Sequence, residues 1–295
     1  LLGPARQLVE VGQEFLGALR AYGFVVVTDH GIPDGILANV RRDTVEFFGR
    51  PGWQKLAYVR HDLVGKRGYM TFGSETAVGA ATADLKEFFH VGRHACGDNV
   101  WPSGEAFRDS MERFFYAADA LGDLLLHALD AALAQDNVLR DMARQGNSVL
   151  RLIHYPPFDP ERVKPDAMRS AAHEDINLIT VLFPGFVPGD PADDSLHILT
   201  RAGHWIPVRV SDGDLVVNAG DMLKRITAGE IPSTTHRVVR PRDPSKARYS
   251  WPFFVHPRKE VALRVLPAFA HLPHEPEIAA DAFLQERLTA NYRKP

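Results

Sequence analysis

Leu8, Val11, Phe15, Leu16 and Leu19 recur mostly at three- and four-residue intervals, which is the repeat of one helix face, and they predict a helix that ends near Gly23. The run FVVVT at 24–28 is β-branched and too short for a helix, so it predicts a strand. A second helix is expected from Asp34 to Phe48, closed by Gly49 and Pro51. Over 52–100 the periodicity weakens and glycines multiply, which reads as loops and short elements. The longest apolar stripe follows Trp101 and Pro102: Phe107, Met111, Phe114, Phe115, Ala118, Leu121, Leu125 and Leu129. Ser103 is the expected N-cap, and a shorter helix is expected over Val138–Arg144. A stripe this broad has to lie against something large, such as a sheet or a barrel wall.

From residue 148 the pattern changes. SVLRLIHY, NLITVLF, SLHIL, HWIPVRV, DLVVN, TTHRVV and ARYSWPFFV are short, β-branched or aromatic, and separated by Gly, Pro and Asp turns. Many short strands at intervals of about ten residues argue for a sandwich or barrel, because a doubly wound fold needs a long helix between successive strands. The expected architecture is one β-barrel domain backed by N-terminal helices. Ile278, Phe283, Leu284 and Leu288 stand at helical intervals within Glu275–Tyr292, and that segment is expected to pack back on the body.

Composition narrows the partners. The chain has 295 residues, of which 45% are hydrophobic and 24% charged, and 34 basic against 37 acidic residues give a net charge of −3. That near-balance offers no support for a nucleic-acid or polybasic membrane partner. A single cysteine, Cys96, rules out an internal disulfide and a cysteine-rich zinc site. A reducing cytoplasm is the expected setting. No apolar run has the length of a membrane span, and the start carries no secretory-signal pattern.

Candidate chemistry begins with His173 and Asp175. On or beside a strand, a spacing of two puts both side chains on one face, where imidazole and carboxylate can share a metal. The third ligand expected is His236, 63 residues after His173 in TTHRVV. Two His and one carboxylate on one side of a metal leave open positions, as non-haem Fe(II) oxygenases require. The same set can hold zinc for hydrolysis, and spacing does not separate the two metals. Arg248 and Ser250 share one face of ARYSWPFFV. Turned inward, that guanidinium and hydroxyl form a fork for a carboxylate, and turned outward they face solvent. Alternation alone leaves both orientations open.

These residues are recognisable together. HEDINLITVL, THRVV and RYS resemble the iron- and 2-oxoglutarate-dependent dioxygenase superfamily, in its isopenicillin N synthase-like branch. YGFVVVTDHGIP, RGYMTFGSE, DLKEFFHVG, NVWP, RLIHYPP, GDLVVNAGDML and PFFVHP support the resemblance in order along the chain. It implies a mainly β protein with N-terminal helices and a double-stranded β-helix core, a cupin-like jelly roll. The expected division is a single oxygenase domain over 1–295, with a mainly helical part at 1–147, the catalytic core at 148–265 and a helical segment at 266–295. The resemblance further implies Fe(II) on His173, Asp175 and His236, the distal carboxylate of 2-oxoglutarate on Arg248 and Ser250, and Tyr155 orienting that co-substrate.

The implied reaction oxidises a small organic molecule with O2, releasing succinate and CO2, with hydroxylation as the expected outcome. The nearest alternative is an oxidase or cyclase like isopenicillin N synthase, which uses no 2-oxoglutarate. A jelly-roll hydrolase and a non-catalytic binding module are the readings outside redox chemistry. Plant members often carry Asn where this chain has Ile153, so that contact does not transfer. They also turn tightly where this chain inserts PGFVPGDPADD at 184–194, expected to be a loop near the barrel mouth. His197 is a candidate to line the pocket and Arg67 a candidate to reach a substrate carboxylate; packing or bracing is the bland role for each. Neither the primary substrate nor the oligomeric state is encoded legibly.

Overall fold

A computed structural model describes residues 4–63, 66–77, 79–187, 194–211 and 213–292. The helices are α1 (Pro4–Tyr22), α2 (Asp34–Phe48), α3 (Gly52–Leu56), α4 (Glu105–Ala132), α5 (Val138–Ala143), α6 (Asp221–Ile226) and α7 (Ala280–Tyr292). The strands are β1 (Phe24–Val27), β2 (Gly68–Met70), β3 (Glu87–Gly92), β4 (Val149–Tyr155), β5 (Ser170–His173), β6 (Ile179–Phe186), β7 (Leu196–Leu199), β8 (Trp205–Pro207), β9 (Leu215–Ala219), β10 (His236–Val238) and β11 (Arg248–Val255). They form two antiparallel sheets, a larger one ordered β1-β9-β6-β11-β4-β3-β2 and a smaller one ordered β5-β10-β7-β8. Two antiparallel sheets fit the sandwich or barrel expected from the strand spacing, and they form the jelly-roll core that the resemblance implied.

The helices cover one face of the larger sheet. In α4 the stripe Met111, Phe114, Phe115, Ala118, Leu126 and Leu129 is buried. Phe114 meets Phe183 of β6 at 4.7 Å and Phe115 meets Phe253 of β11 at 5.0 Å between ring centroids. α1 packs against α4 at Gly12, where an added Cβ would stand 2.2 Å from the Ala128 carbonyl oxygen. The Trp251 indole donates to Thr44 of α2 at 3.0 Å. Because side chains alternate along a strand, this covering fixes the other face. On β11, Tyr249, Trp251, Phe253 and Val255 are buried toward the helices, so Arg248, Ser250, Pro252 and Phe254 turn into the barrel. On β4, Arg151, Ile153 and Tyr155 do the same.

Several expectations are adjusted. The N-cap of α4 is Gly104 with φ 102°, a backbone conformation that glycine adopts without steric cost, and Ser103 lies before it. The 52–100 region holds a complete buried strand, β3, that weak periodicity concealed; a strand buried on both faces shows no alternation. Pro184–Phe186 continue β6 and are not loop. Tyr249 pairs with Phe186 and Trp251 with Phe183, so β6 spends one extra residue there, a β-bulge, and Phe186 stacks on both aromatic rings. Residues 188–193 of the insertion lie outside the described residues.

Candidate metal centre and active site

β5 and β10 are adjacent in the smaller sheet, and His173 is the register partner of His236. Their ring centroids are 4.4 Å apart. Asp175 follows β5 by two residues, and its Oδ1 lies 3.8 Å from His173 Nε2 and 3.9 Å from His236 Nε2. One ligand atom from each of the three residues falls within 4.8 Å of the others.

The surroundings define the donor atoms. His173 Nδ1 donates to the Ala171 carbonyl at 2.8 Å, and His236 Nδ1 donates to the Thr234 carbonyl at 3.1 Å. Each bond fixes the proton on Nδ1 and leaves the Nε2 lone pair for a metal. Asp175 Oδ2 accepts from Thr180 Oγ1 at 2.6 Å and from Asn218 Nδ2 at 2.8 Å, so Oδ1 is the oxygen turned to the histidines. Burial, joined by the neighbouring His236, pushes His173 down to about 4, which keeps it neutral at neutral pH. Burial alone would raise Asp175, but His236, His173, Asn218 and Thr180 outweigh it and hold the carboxyl below its ordinary range. Two imidazole Nε2 atoms and one carboxylate oxygen on one side fit Fe(II) with positions left open.

Thr180 and Asn218 are themselves register partners across β6 and β9. Sequence reasoning missed them, although each is a polar interruption of an apolar strand run. Gly220, which precedes α6, is equally constrained: an added Cβ would stand 2.2 Å from the Asn177 carbonyl. That close approach lets the Asp221 amide donate to the Asp175 carbonyl at 2.7 Å.

Two cavities open on the triad. The inner one is lined by the triad with Tyr155, Arg248 and Ser250, which are 2%, 3% and 2% exposed. Arg248 pairs with Tyr155 and Ser250 with Ile153, and the guanidinium stands 5.2 Å from the Tyr155 ring centroid. The outer cavity is lined by His173 and Asp175 with Glu75, Asp84, Lys86, Arg151, Phe254 and His256, and by Leu284 and Leu288 of α7. The polar members of this outer group were not singled out from the sequence, because they come from four separate segments.

Arg67 and His197 line neither cavity. Arg67 donates to the Lys66 carbonyl at 2.7 Å and to Asn147 Oδ1 at 3.3 Å, and its guanidinium fills the space beside Gly92. On β7, Leu196 takes the inward position, so alternation turns His197 to the other face, opposite Arg237 and Pro207.

Comparison with known proteins matches this geometry. The 2OG-Fe(II) oxygenase superfamily model covers residues 146–257, and the model described as non-haem dioxygenase in morphine synthesis N-terminal covers 3–104. The proline hydroxylase buaE of Petromyces alliaceus is 33% identical over 312 residues, spanning 98% of this chain and 95% of that protein. The chain belongs to the 2OG-Fe(II) oxygenase superfamily. It is an Fe(II)- and 2-oxoglutarate-dependent dioxygenase. A Caulobacter crescentus protein of the 2OG-Fe(II) oxygenase family superposes with a TM-score of 0.84 at 34% identity, covering 96% of this chain and 95% of that one. A full-length Neurospora crassa protein in complex with α-ketoglutarate and thymine superposes with a TM-score of 0.85 at 26% identity, covering 98% of this dioxygenase and 93% of that chain. Among the described residues no helix is long and apolar enough to cross a membrane.

Proposed function

We propose that this dioxygenase hydroxylates a small organic molecule, with Arg248 and Ser250 receiving the distal carboxylate of 2-oxoglutarate and Tyr155 orienting it. The observation that carries the reading is that these three residues and the triad line one inner cavity on two facing sheets. Iron, when bound, supplies the oxygen-activating redox chemistry, coupled to oxidative decarboxylation of 2-oxoglutarate. The chain's own part is ligand geometry, charge and exclusion of water. His173 and His236 keep their protons on Nδ1, Asp175 stays ionised, and Arg248 supplies a planar guanidinium whose geometry matches a carboxylate. The apolar side chains of Ile153, Leu182, Leu196 and Val238 limit water around that cation, which strengthens its hold on a carboxylate.

The chain acts as one catalytic domain in this reading, with 1–147 and 266–295 serving the 148–265 core, and the lone cysteine supports a cytoplasmic setting. The relatives point to different small molecules, proline in the name of one and bound thymine in another, so likeness alone selects none. The test is an anaerobic titration of the Fe(II) protein with 2-oxoglutarate. A weak visible charge-transfer band from the chelated 2-oxoacid is expected. Its absence from a verified iron-loaded sample would favour an isopenicillin N synthase-type oxidase.

A further inference from the structure

Besides Asp175 of the triad and Glu174, the outer cavity contains four charged side chains, and their hydrogen bonds and ion pairs show which have capacity left. Lys86 Nζ meets Glu75 Oε2 at 2.7 Å, Asp84 Oδ2 at 2.8 Å and Ser170 Oγ at 3.1 Å, which uses its three donors. Asp84 accepts from Lys86 on one oxygen and from the Ala171 amide at 2.9 Å on the other. Those two groups brace each other and the start of β5.

Arg151 and Glu75 are different. Arg151 Nε donates to His90 Nε2 at 2.6 Å, and Nη1 donates to Glu75 Oε2 at 3.2 Å. Its guanidinium carbon lies 4.3 Å from the Phe88 ring centroid and 5.4 Å from that of Phe254. Nη2 makes no hydrogen bond among the described residues, and neither does Glu75 Oε1. The side chains are 18% and 23% exposed, and both line the cavity that holds His173 and Asp175. Burial would raise Glu75, but Arg151 and Lys86 outweigh it and hold the carboxyl well below its ordinary range.

We propose that the primary substrate is a zwitterion of the amino- or imino-acid class, its carboxylate on Arg151 and its cationic nitrogen on Glu75. The proposal rests on the dioxygenase reading above and adds the substrate class. Charge balance supports it: outside the metal triad, two cations, Lys86 and Arg151, already offset two anions, Glu75 and Asp84. A ligand with one charge of each sign preserves that balance, whereas a singly charged ligand leaves one charge uncompensated in a partly desolvated chamber. Glu174 at the mouth faces Lys224 at 3.6 Å and leaves the count unchanged. Phe254, Ile176, Leu284 and Leu288 line the rest of the chamber and suit an aliphatic side chain.

The Fe(II) protein with 2-oxoglutarate is assayed for succinate release with each of the twenty standard L-amino acids. Any that stimulates is compared with its deaminated acid, or for a ring amine the carbocyclic acid in its place, and with its decarboxylated amine; for L-proline these are cyclopentanecarboxylate and pyrrolidine. At least one amino acid is expected to stimulate succinate release and to perturb the anaerobic visible band, with a kcat/KM at least tenfold above either one-charge analogue. Glu75→Gln should raise KM for the amino acid at least tenfold without doing so for the deaminated acid. Arg151→Lys, which keeps the charge but loses the fork, should raise KM for the amino acid and not for the amine. A general loss of packing would not produce that split. An intact 2-oxoglutarate band with no stimulation by any amino acid, or equal stimulation by a one-charge or neutral compound such as thymine, overturns the zwitterion proposal alone. Absence of the band overturns the dioxygenase reading and this proposal with it.

Discussion

Thr180→Val tests whether the second carboxylate oxygen of Asp175 is held in place for the metal. Thr180 is 2% exposed and Asp175 8%, so water does not readily replace the lost hydroxyl. The substitution removes the 2.6 Å donor to Oδ2 and leaves only Asn218 at 2.8 Å. A hydrogen bond to a charged group contributes about 1.5–3 kcal/mol, and about 1.4 kcal/mol is tenfold in an equilibrium constant. Metal affinity is therefore expected to fall by about 10- to 100-fold, the usual range for such supporting residues. Asn177 Nδ2 loses its 3.1 Å acceptor on Thr180 but keeps the Ile179 carbonyl at 2.8 Å, so the fold should survive. Anaerobic competition with a chromophoric chelator measures Fe(II) affinity, and thermal unfolding of the metal-free protein runs beside it. Thr180→Ser, which restores the hydroxyl, should return affinity to within about threefold of wild type. Metal affinity unchanged in Thr180→Val, with only the unfolding temperature lowered, would refute the reasoning.

Three further outcomes are expected. Arg248→Lys should weaken 2-oxoglutarate binding at least about tenfold by losing the planar two-point fork, read from the band titration; unchanged affinity would place the co-substrate elsewhere. Glu87 is buried with Lys55 at 2.8 Å, His154 at 2.7 Å and the Tyr69 hydroxyl, and these contacts outweigh burial to hold it below its ordinary range. Lys55→Met should cost about 3–5 kcal/mol in urea unfolding at pH 7, and wild-type stability from this group should be lost only as pH falls below about 4; a neutral effect would show that the ion pair is dispensable. Burial pushes His256 down to about 4, whereas an unfolded histidine takes up its proton near about 6.5. The unfolded state therefore binds more protons between those values, and stability should fall on acidification through that window. In metal-free protein, His256→Asn should flatten the fall by at most about 1.4 kcal/mol per pH unit, and an unaltered slope would assign it elsewhere.

Legibility followed the range of the interactions involved. The helix stripe of α4, the limits of α2 and most strands of the core depend on local periodicity, and each is visible in the chain. The triad is visible in a different way. His173 and Asp175 are two residues apart; His236 comes from another strand, and it stood as the candidate third ligand until the ordered resemblance joined it to the pair. β3 was obscured because all six of its residues are buried, which removes the alternation that marks a half-buried strand. The Pro/Gly-rich start of the insertion reads as loop, yet the bulge opposite Tyr249 and Trp251 keeps Pro184–Phe186 in β6.

The sequence by itself determined most of the elements, the ligand types and the metal chemistry they permit, because periodicity and side-chain chemistry are local properties. Only the tertiary structure decided which way the strands face. Helices α1, α2 and α4 cover the Tyr249, Trp251 and Phe253 side, and that covering turns Arg248 and Ser250 inward. The same alternation turns Leu196 into the cavity and His197 away from it, and packing beside Gly92 takes Arg67 out of both cavities. Glu75, Lys86, Arg151 and the leucines of α7 meet around the triad only because two sheets and a C-terminal helix converge there. No spacing along the chain encodes that meeting, since it depends on how separate segments close around one buried volume.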